Sequence, residues 1–378
     1  MRFAAIATWL FAVAIQCAAQ TVVVLPFDNV SGAARAPSHV REQLSKGLES
    51  RGWKISDADV LPLLEQLRVR YFESLDDDVR KKVVEATHAA TVLTGTIYTY
   101  TDGKNPIVSI AARLVRADGS IAWGDVAGVS ADDAEELFGF RRSVNADALA
   151  IDAVRQLLDE FPEPGRESAP PKGPSKALTP LFRGAPVSYR AADLDPNVPH
   201  RVCVLPLENV TRTPDAARVF AEVLTLRLAA AEGFEPVEPA RLRAAALQAK
   251  VGSFITAGPA ELRKLGDAVG TSLFLRGTVW TYDDVTDRGI TTPAVQVELT
   301  LVDVETGRVL WAAQHERKGD DYAGLLMIGA VSNAVSLADR VVSEMISMKG
   351  RSHETNDARI AAARARLIRR SADARPRQ

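Results

Sequence analysis

Reactive side chains are few in this 378-residue chain, and their spacing assembles no catalytic constellation. The five histidines are His39, His88, His200, His315 and His353, and no two stand at the separation of a metal-ligand pair. Each reads as a surface or half-buried residue. Cys203 lies inside an apolar run and reads as a small core residue. Gly266 and Gly270 lack the downstream Lys-Ser/Thr of a phosphate-binding loop, and no serine occupies a nucleophile elbow. Asp76, Asp77 and Asp78 lack the glycine and distal glutamate of a calcium loop; a helix N-terminus, favoured by its dipole, accounts for them better. Asn29-Val30-Ser31 and Asn209-Val210-Thr211 fit the glycosylation pattern, but Asn with Ser or Thr after a strand also builds turns. The expectation is a protein that is not an enzyme, with no catalytic residues, no cofactor and no metal site.

Contact, rather than catalysis, then has to come from the elements. The clearest runs from Gly277 to Trp311. Val295, Val297, Leu299 and Leu301 fall on one side of an extended chain, and Gln296, Glu298 and Thr300 on the other. That period of two marks a strand with one buried face. Glu305-Thr306-Gly307 interrupts it as a hairpin turn, and Leu273 to Trp280 supplies a third strand of an antiparallel meander. The same meander occurs earlier. Gly95-Thr96-Ile97-Tyr98-Thr99-Tyr100 matches Gly277-Thr278-Val279-Trp280-Thr281-Tyr282 in type, and Trp123 follows Gly119 by four positions as Trp311 follows Gly307. The chain is an internal duplication.

Length points to two domains, and a net charge of −2 offers no global field for nucleic acid or an anionic membrane. Residues 1–19 read as a secretory signal, with Arg2, an apolar run from Phe3 to Ile15 and then small residues. Gln16 before Cys17 spoils a lipid-attachment site, so a lipid-anchored outer-membrane form is the disfavoured alternative to a periplasmic protein. Repeat one covers 20–161 and repeat two 200–348. Thr21 to Leu25 and Val202 to Leu205 open them as strands, each stopped by a proline, Pro26 and Pro206. Helices follow near 37–51, 60–67 and 76–88, and in repeat two near Pro214–Gly233, Pro239–Ala249 and Pro259–Val269. Helices from Asp132 or later to Phe161, and from Leu325 to Met348, close the repeats. The order β-α-β-α-α-β-β-β-α predicts an α/β fold, a mixed sheet in each repeat backed by helices on one side. Residues 162–199 hold nine of 20 prolines and read as a linker between two separately folding units, with an ordered strap as the alternative because of Leu181, Phe182 and Tyr189. The basic tail, 349–378, reads as solvated; docking of a helix through Arg370 on an anionic surface is the alternative.

The openings VVVLPFDNVSG and VCVLPLENVTR, the strands LTGTIYTY and LRGTVWTYDD and the ending VDVETGRVLWAAQ resemble one family. The chain is similar to the CsgG/TolB-amino-terminal superfamily of bacterial envelope proteins, which includes the curli secretion lipoprotein and the penicillin-binding-protein activator lipoproteins. The likeness covers about 22–160 and 201–348, in two tandem copies. It implies an α/β sandwich resembling an anticodon-binding domain, used for protein–protein contacts in the periplasm and carrying no catalytic residues. Envelope proteins, among them peptidoglycan-synthesis or secretion machinery, are the implied partners. Membrane contact without spanning stays open, as does oligomeric state.

Two function classes follow: a periplasmic scaffold or regulator, and an outer-membrane secretion component of the curli type. The second is disfavoured, because the Asp283–Thr292 connector is short and carries Asp283, Asp284, Asp287 and Arg288, unlike a barrel hairpin. The partner surface is expected on the polar row Gln296, Glu298 and Thr300, continued by Val302. The corresponding row of repeat one, Ser109, Ala111, Arg113 and Val115, is smaller and more apolar, so that sheet is expected to pack within the molecule or on a second copy.

Overall fold

The computed structural model describes residues 21–131, 145–166, 185–192, 194–195, 198–287, 290–323 and 329–347. The expected signal, the basic tail, most of the proline-rich segment and the expected early turns of both closing helices lie outside them.

Repeat one consists of β1 (Thr21–Val24), β2 (Asp28–Asn29), α1 (Ala36–Ser50), β3 (Lys54–Ile55), α2 (Leu61–Gln66), α3 (Asp77–Thr87), β4 (Thr91–Thr101), β5 (Ile107–Arg116), β6 (Ile121–Ser130) and α4 (Ala146–Asp159). After β7 (Val187–Arg190), repeat two repeats the plan: β8 (His200–Val204), β9 (Glu208–Asn209), α5 (Ala216–Ala230), β10 (Phe234–Pro236), α6 (Pro239–Ala249), α7 (Pro259–Val269), β11 (Leu273–Asp287), β12 (Ile290–Asp303), β13 (Arg308–Lys318) and α8 (Ala334–Ser347). The sheets run β3-β1-β4-β5-β6 and β10-β8-β11-β12-β13, with the first three strands of each parallel and the meander antiparallel. β2 and β9 add short parallel pairings to β4 and β11.

Local chemistry sets the element ends. Asp76 accepts a hydrogen bond from the Val79 amide and opens α3, which is the role expected of that acidic run. Asn145 and Asn333 sit at equivalent places before α4 and α8, and their side-chain oxygens accept from the Ala148 and Ser336 amides. Asn29 and Asn209 likewise close matched turns, Asn29 donating to the Ala33 carbonyl at 2.8 Å and Asn209 to the Thr213 carbonyl at 2.8 Å. On α1, Val40, Leu44 and Leu48 fall one turn apart and are buried against α4 and the sheet.

Helices occupy both faces of each sheet. α1 and α4 cover one face of repeat one, while α2 and α3 cover one end of the other, over Val23, Leu25 and Val92. Repeat two does the same, with α6 and α7 over Cys203, Leu205 and Phe274. The rest of that second face distinguishes the repeats. In repeat one it is covered by repeat two: Tyr98 and Ala111 belong to the core built by α5 and α8, and Val30 and Val126 pack against it. Ser109, Ala111 and Arg113 are fully buried there and Val115 nearly so. The two units, expected to fold separately, share a buried junction. Gly124 and Gly128 permit the approach: a Cβ at Gly124 would collide with Leu226 of α5, and one at Gly128 with Asn333 and Ser336.

Two readings of connecting segments also change. Within 162–199, β7 pairs antiparallel with β13, Tyr189 opposite Ala312 and Val187 opposite Gln314, and Leu194 is buried in the repeat-two core. This part is an ordered strap. Residues 283–287 and 290–292, taken as a connector, are the paired ends of β11 and β12, Asp283 opposite Ala294 and Asp287 opposite Ile290. Asp283, Asp284, Thr286 and Thr291 are exposed on that arm.

Candidate functional site

Chemistry-bearing residues are mostly absorbed by the fold. Cys203 is buried, and burial pushes its thiol up to about 12. His315 is a correction to the surface reading: it is buried on β13, and its Nε2 lies 2.7 Å from Glu344 Oε2 of α8. Arg317 donates to the same oxygen from Nη2 at 2.7 Å, and Tyr322 donates to Glu344 Oε1 at 2.5 Å. Burial alone would raise the Glu344 carboxyl, but bonds from His315, Tyr322 and Arg317 hold it below the usual range. The cluster is a satisfied internal network beneath the sheet. Among the described residues, no group of three or more His, Cys, Asp or Glu could hold a metal ion, and no helix is long and apolar enough to cross a membrane.

Gln296, Glu298 and Thr300 lie on one face of β12, alternating with the buried Val295, Val297, Leu299 and Leu301. Glu298 is exposed, and Gln296 and Thr300 are half-buried. Register extends this row into a surface four strands wide: Arg276, Thr300, Ala312 and Tyr189 stand side by side, and next to them Thr278, Glu298, Gln314 and Val187. Tyr189 is 39% exposed, Val187 74% and Trp280, at the β11 bulge, 47%. Sequence reasoning missed β7, because four alternating residues in a proline-rich segment carry no strand signal of their own.

The matching face of repeat one is occupied in cis. Arg113 stands where Thr300 stands, and its guanidinium is fully buried, with Nη1 2.5 Å from Glu222 of α5 and Nη2 3.1 Å from Glu238, which precedes α6. Nη2 also donates to the Glu73 carbonyl at 2.5 Å. Ser74 donates to Glu238 at 2.6 Å and accepts from the Ala240 amide at 2.7 Å. Arg227 of α5 bridges Asp125 of β6 and Asp339 of α8. The junction is thus sealed by hydrogen-bonded ion pairs as well as by apolar packing, the arrangement a buried charge requires.

Beside these pairs a cavity of about 480 Å³ opens between the repeats. Glu73 reaches its wall from repeat one, and Arg218 of α5 and Arg243 of α6 from repeat two. Burial, and the neighbouring Asp28 carboxylate, push the Glu73 carboxyl up to about 8 against the opposing pull of both arginines. No spacing rule connects Glu73 with Arg218 and Arg243, 145 and 170 residues away, so none of this was visible in the chain.

No family model matches the chain, and no curated protein matches it. Among solved structures it is similar to the PelC dodecamer from Paraburkholderia phytofirmans, at 21% identity over 44% of this chain and 96% of that one, with a TM-score of 0.29. It is also similar to the LpoB C-terminal domain from Escherichia coli, at 20% identity over 32% of this chain and 84% of that one, TM-score 0.24. A lipoprotein from Neisseria meningitidis matches at 20% identity over 29% of this chain and 81% of its own, TM-score 0.25.

Proposed function

We propose that this chain is a non-enzymatic scaffold or regulator of the bacterial cell envelope, exported by its N-terminal signal and acting through protein–protein contacts. The finer kinship, two copies of a CsgG/TolB-amino-terminal-like domain related to the penicillin-binding-protein activators, belongs to the same reading and rests on the matched motifs. Peptidoglycan-synthesis or secretion proteins are the partner classes it implies. One observation carries the contact function: the same sheet face is covered by α5 and α8 in repeat one and, among the described residues, open in repeat two. On that open face exposed aromatic and apolar side chains, Trp280, Tyr189 and Val187, stand among Glu298, Gln296 and Thr300. A mixed surface with aromatic anchors is what protein partners use. The secretion-component alternative is not adopted, because the β11–β12 arm presents Asp283, Asp284, Thr286 and Thr291 to solvent rather than an apolar band.

The test is Glu298→Lys and, separately, Trp280→Ala. The charge reversal is expected to leave stability within about 0.5 kcal/mol, as for ordinary surface changes. Both variants are expected to reduce capture of envelope proteins by the purified chain. Unchanged capture with both variants would place the partner surface elsewhere.

A further inference from the structure

The junction cavity is lined on the repeat-two side by Pro206, Leu207, Ala217, Ala221, Leu242 and Phe254, an apolar wall, and faced across the gap by Tyr71. Its charged end is built by two guanidiniums that converge on one carboxyl. Arg218 Nη2 lies 3.3 Å from Glu73 Oε2, and Arg243 Nη1 lies 3.3 Å from Glu73 Oε1. The Glu73 side chain so occupies the bridging position of a carboxylate between two arginines. Both contacts are longer than the roughly 2.7–2.9 Å of a charge-assisted bond. Burial and the neighbouring Asp28, whose carboxylate lies 3.1 Å from Arg218, push the Glu73 carboxyl up to about 8. The other charges around it are already matched: Arg113 is bonded to Glu222 and paired with Glu238. Arg218 is thus paired with Asp28 as well as Glu73, and Arg243 also donates to the Ser74 carbonyl at 3.0 Å and lies over the Tyr71 ring. The two guanidiniums, with side chains 34% and 36% exposed, line the cavity beside its apolar wall.

We propose that this cavity binds a small amphiphilic carboxylate, its head bridging Arg218 and Arg243 and its apolar body lying along the Pro206–Phe254 wall. The volume is within the roughly 300–1,000 Å³ of small-molecule sites. A carboxylate that is fully ionised at neutral pH adds a negative charge where the two guanidiniums face the cavity. A cationic amphiphile would meet the two guanidiniums, and a neutral one would gain the wall alone. The site is separate from the repeat-two face and stands or falls independently of it.

Isothermal titration of the full-length chain with octanoate, octanol and octylammonium tests the proposal. At about pH 6.5 octanoate is expected to bind saturably, at least about tenfold tighter than octanol, with no saturable binding of octylammonium. Arg243→Met keeps the apolar stem and removes the charge; it is expected to weaken octanoate about tenfold or more and leave octanol unchanged. If that variant does not fold, Arg218→Met takes its place with the same expectation. As pH rises one unit past the Glu73 midpoint of about 8, octanoate affinity is expected to fall about tenfold, and Glu73→Gln is expected to abolish the fall. Octanol binding as tightly as octanoate, octylammonium binding tightest, no saturable octanoate binding, or a Met variant with wild-type octanoate affinity would each overturn it.

Discussion

Arg113→Met isolates what holds the two repeats together. The guanidinium is fully buried, bonded to Glu222 at 2.5 Å and the Glu73 carbonyl at 2.5 Å and paired with Glu238 at 3.1 Å. Methionine fills most of the volume and supplies none of the bonds. Two carboxylates, 6% and 3% exposed, are then left without their cation. Removing one partner of a buried ion pair costs about 3–5 kcal/mol, far more than the pair's net worth, because the residual charge stays desolvated. The expected loss is in that range, measured by urea denaturation at neutral pH. A second consequence separates this account from simple cavity formation. Glu222→Gln and Glu238→Gln, added to Arg113→Met, remove the stranded charges and are expected to restore a large part of the loss. A loss below about 1 kcal/mol in the single variant, or no restoration in the triple one, would refute the reasoning.

Glu73 predicts a pH dependence. Its folded-state midpoint, about 8, lies above the ordinary glutamate value of 4.5, so its contribution to stability is complete below about pH 4.5 and is lost as pH rises through 8. The difference in melting temperature between wild type and Glu73→Gln is expected to shift in that direction across the window, and a difference that is flat in pH refutes it. Limited tryptic digestion is expected to cut first at Lys172, Lys176 or Arg183, with the two halves eluting together on gel filtration; separate elution would show the junction too weak to hold without the covalent link. Trp123 is 4% exposed and packs edge-on to Phe161 at 4.6 Å, so Trp123→Ala is expected to cost about 3–5 kcal/mol. The matched Trp311 is half-buried, and Trp311→Ala is expected to cost less; equal losses in urea titrations would contradict the burial difference.

The helices 239–249 and 259–269 were legible to the residue, because Pro239 and Pro259 begin them. The meanders were legible because alternation is regular in β12 and Gly95–Tyr100 matches Gly277–Tyr282 in type. What escaped depends on partners far along the chain. The row of Arg113 reads as one that packs within the molecule or on a second copy, but its counter-ion, Glu222, lies 109 residues away and leaves no local signal. β7 takes its order from the hydrogen bonds of β13 rather than from its own propensity. His315 misled for the same reason: its partner Glu344 lies 29 residues on, in another element. Short helices α2, α3, α6 and α7 were placed correctly along the chain, but nothing in their periodicity says which sheet face they cover.

The close approach at Gly124 and Gly128 also sets the two units apart. In repeat two the positions of Gly124 and Gly128 are taken by Ala312 and Glu316, opposite Thr300 and Gln296 as the glycines are opposite Arg113 and Ser109. On repeat one those positions are bare, and a Cβ there would meet Leu226 at Gly124 and Asn333 and Ser336 at Gly128. β7, moreover, widens the sheet of repeat two along the matching edge. The contact that joins the first unit to the second therefore depends on two bare backbone positions that the second unit does not repeat.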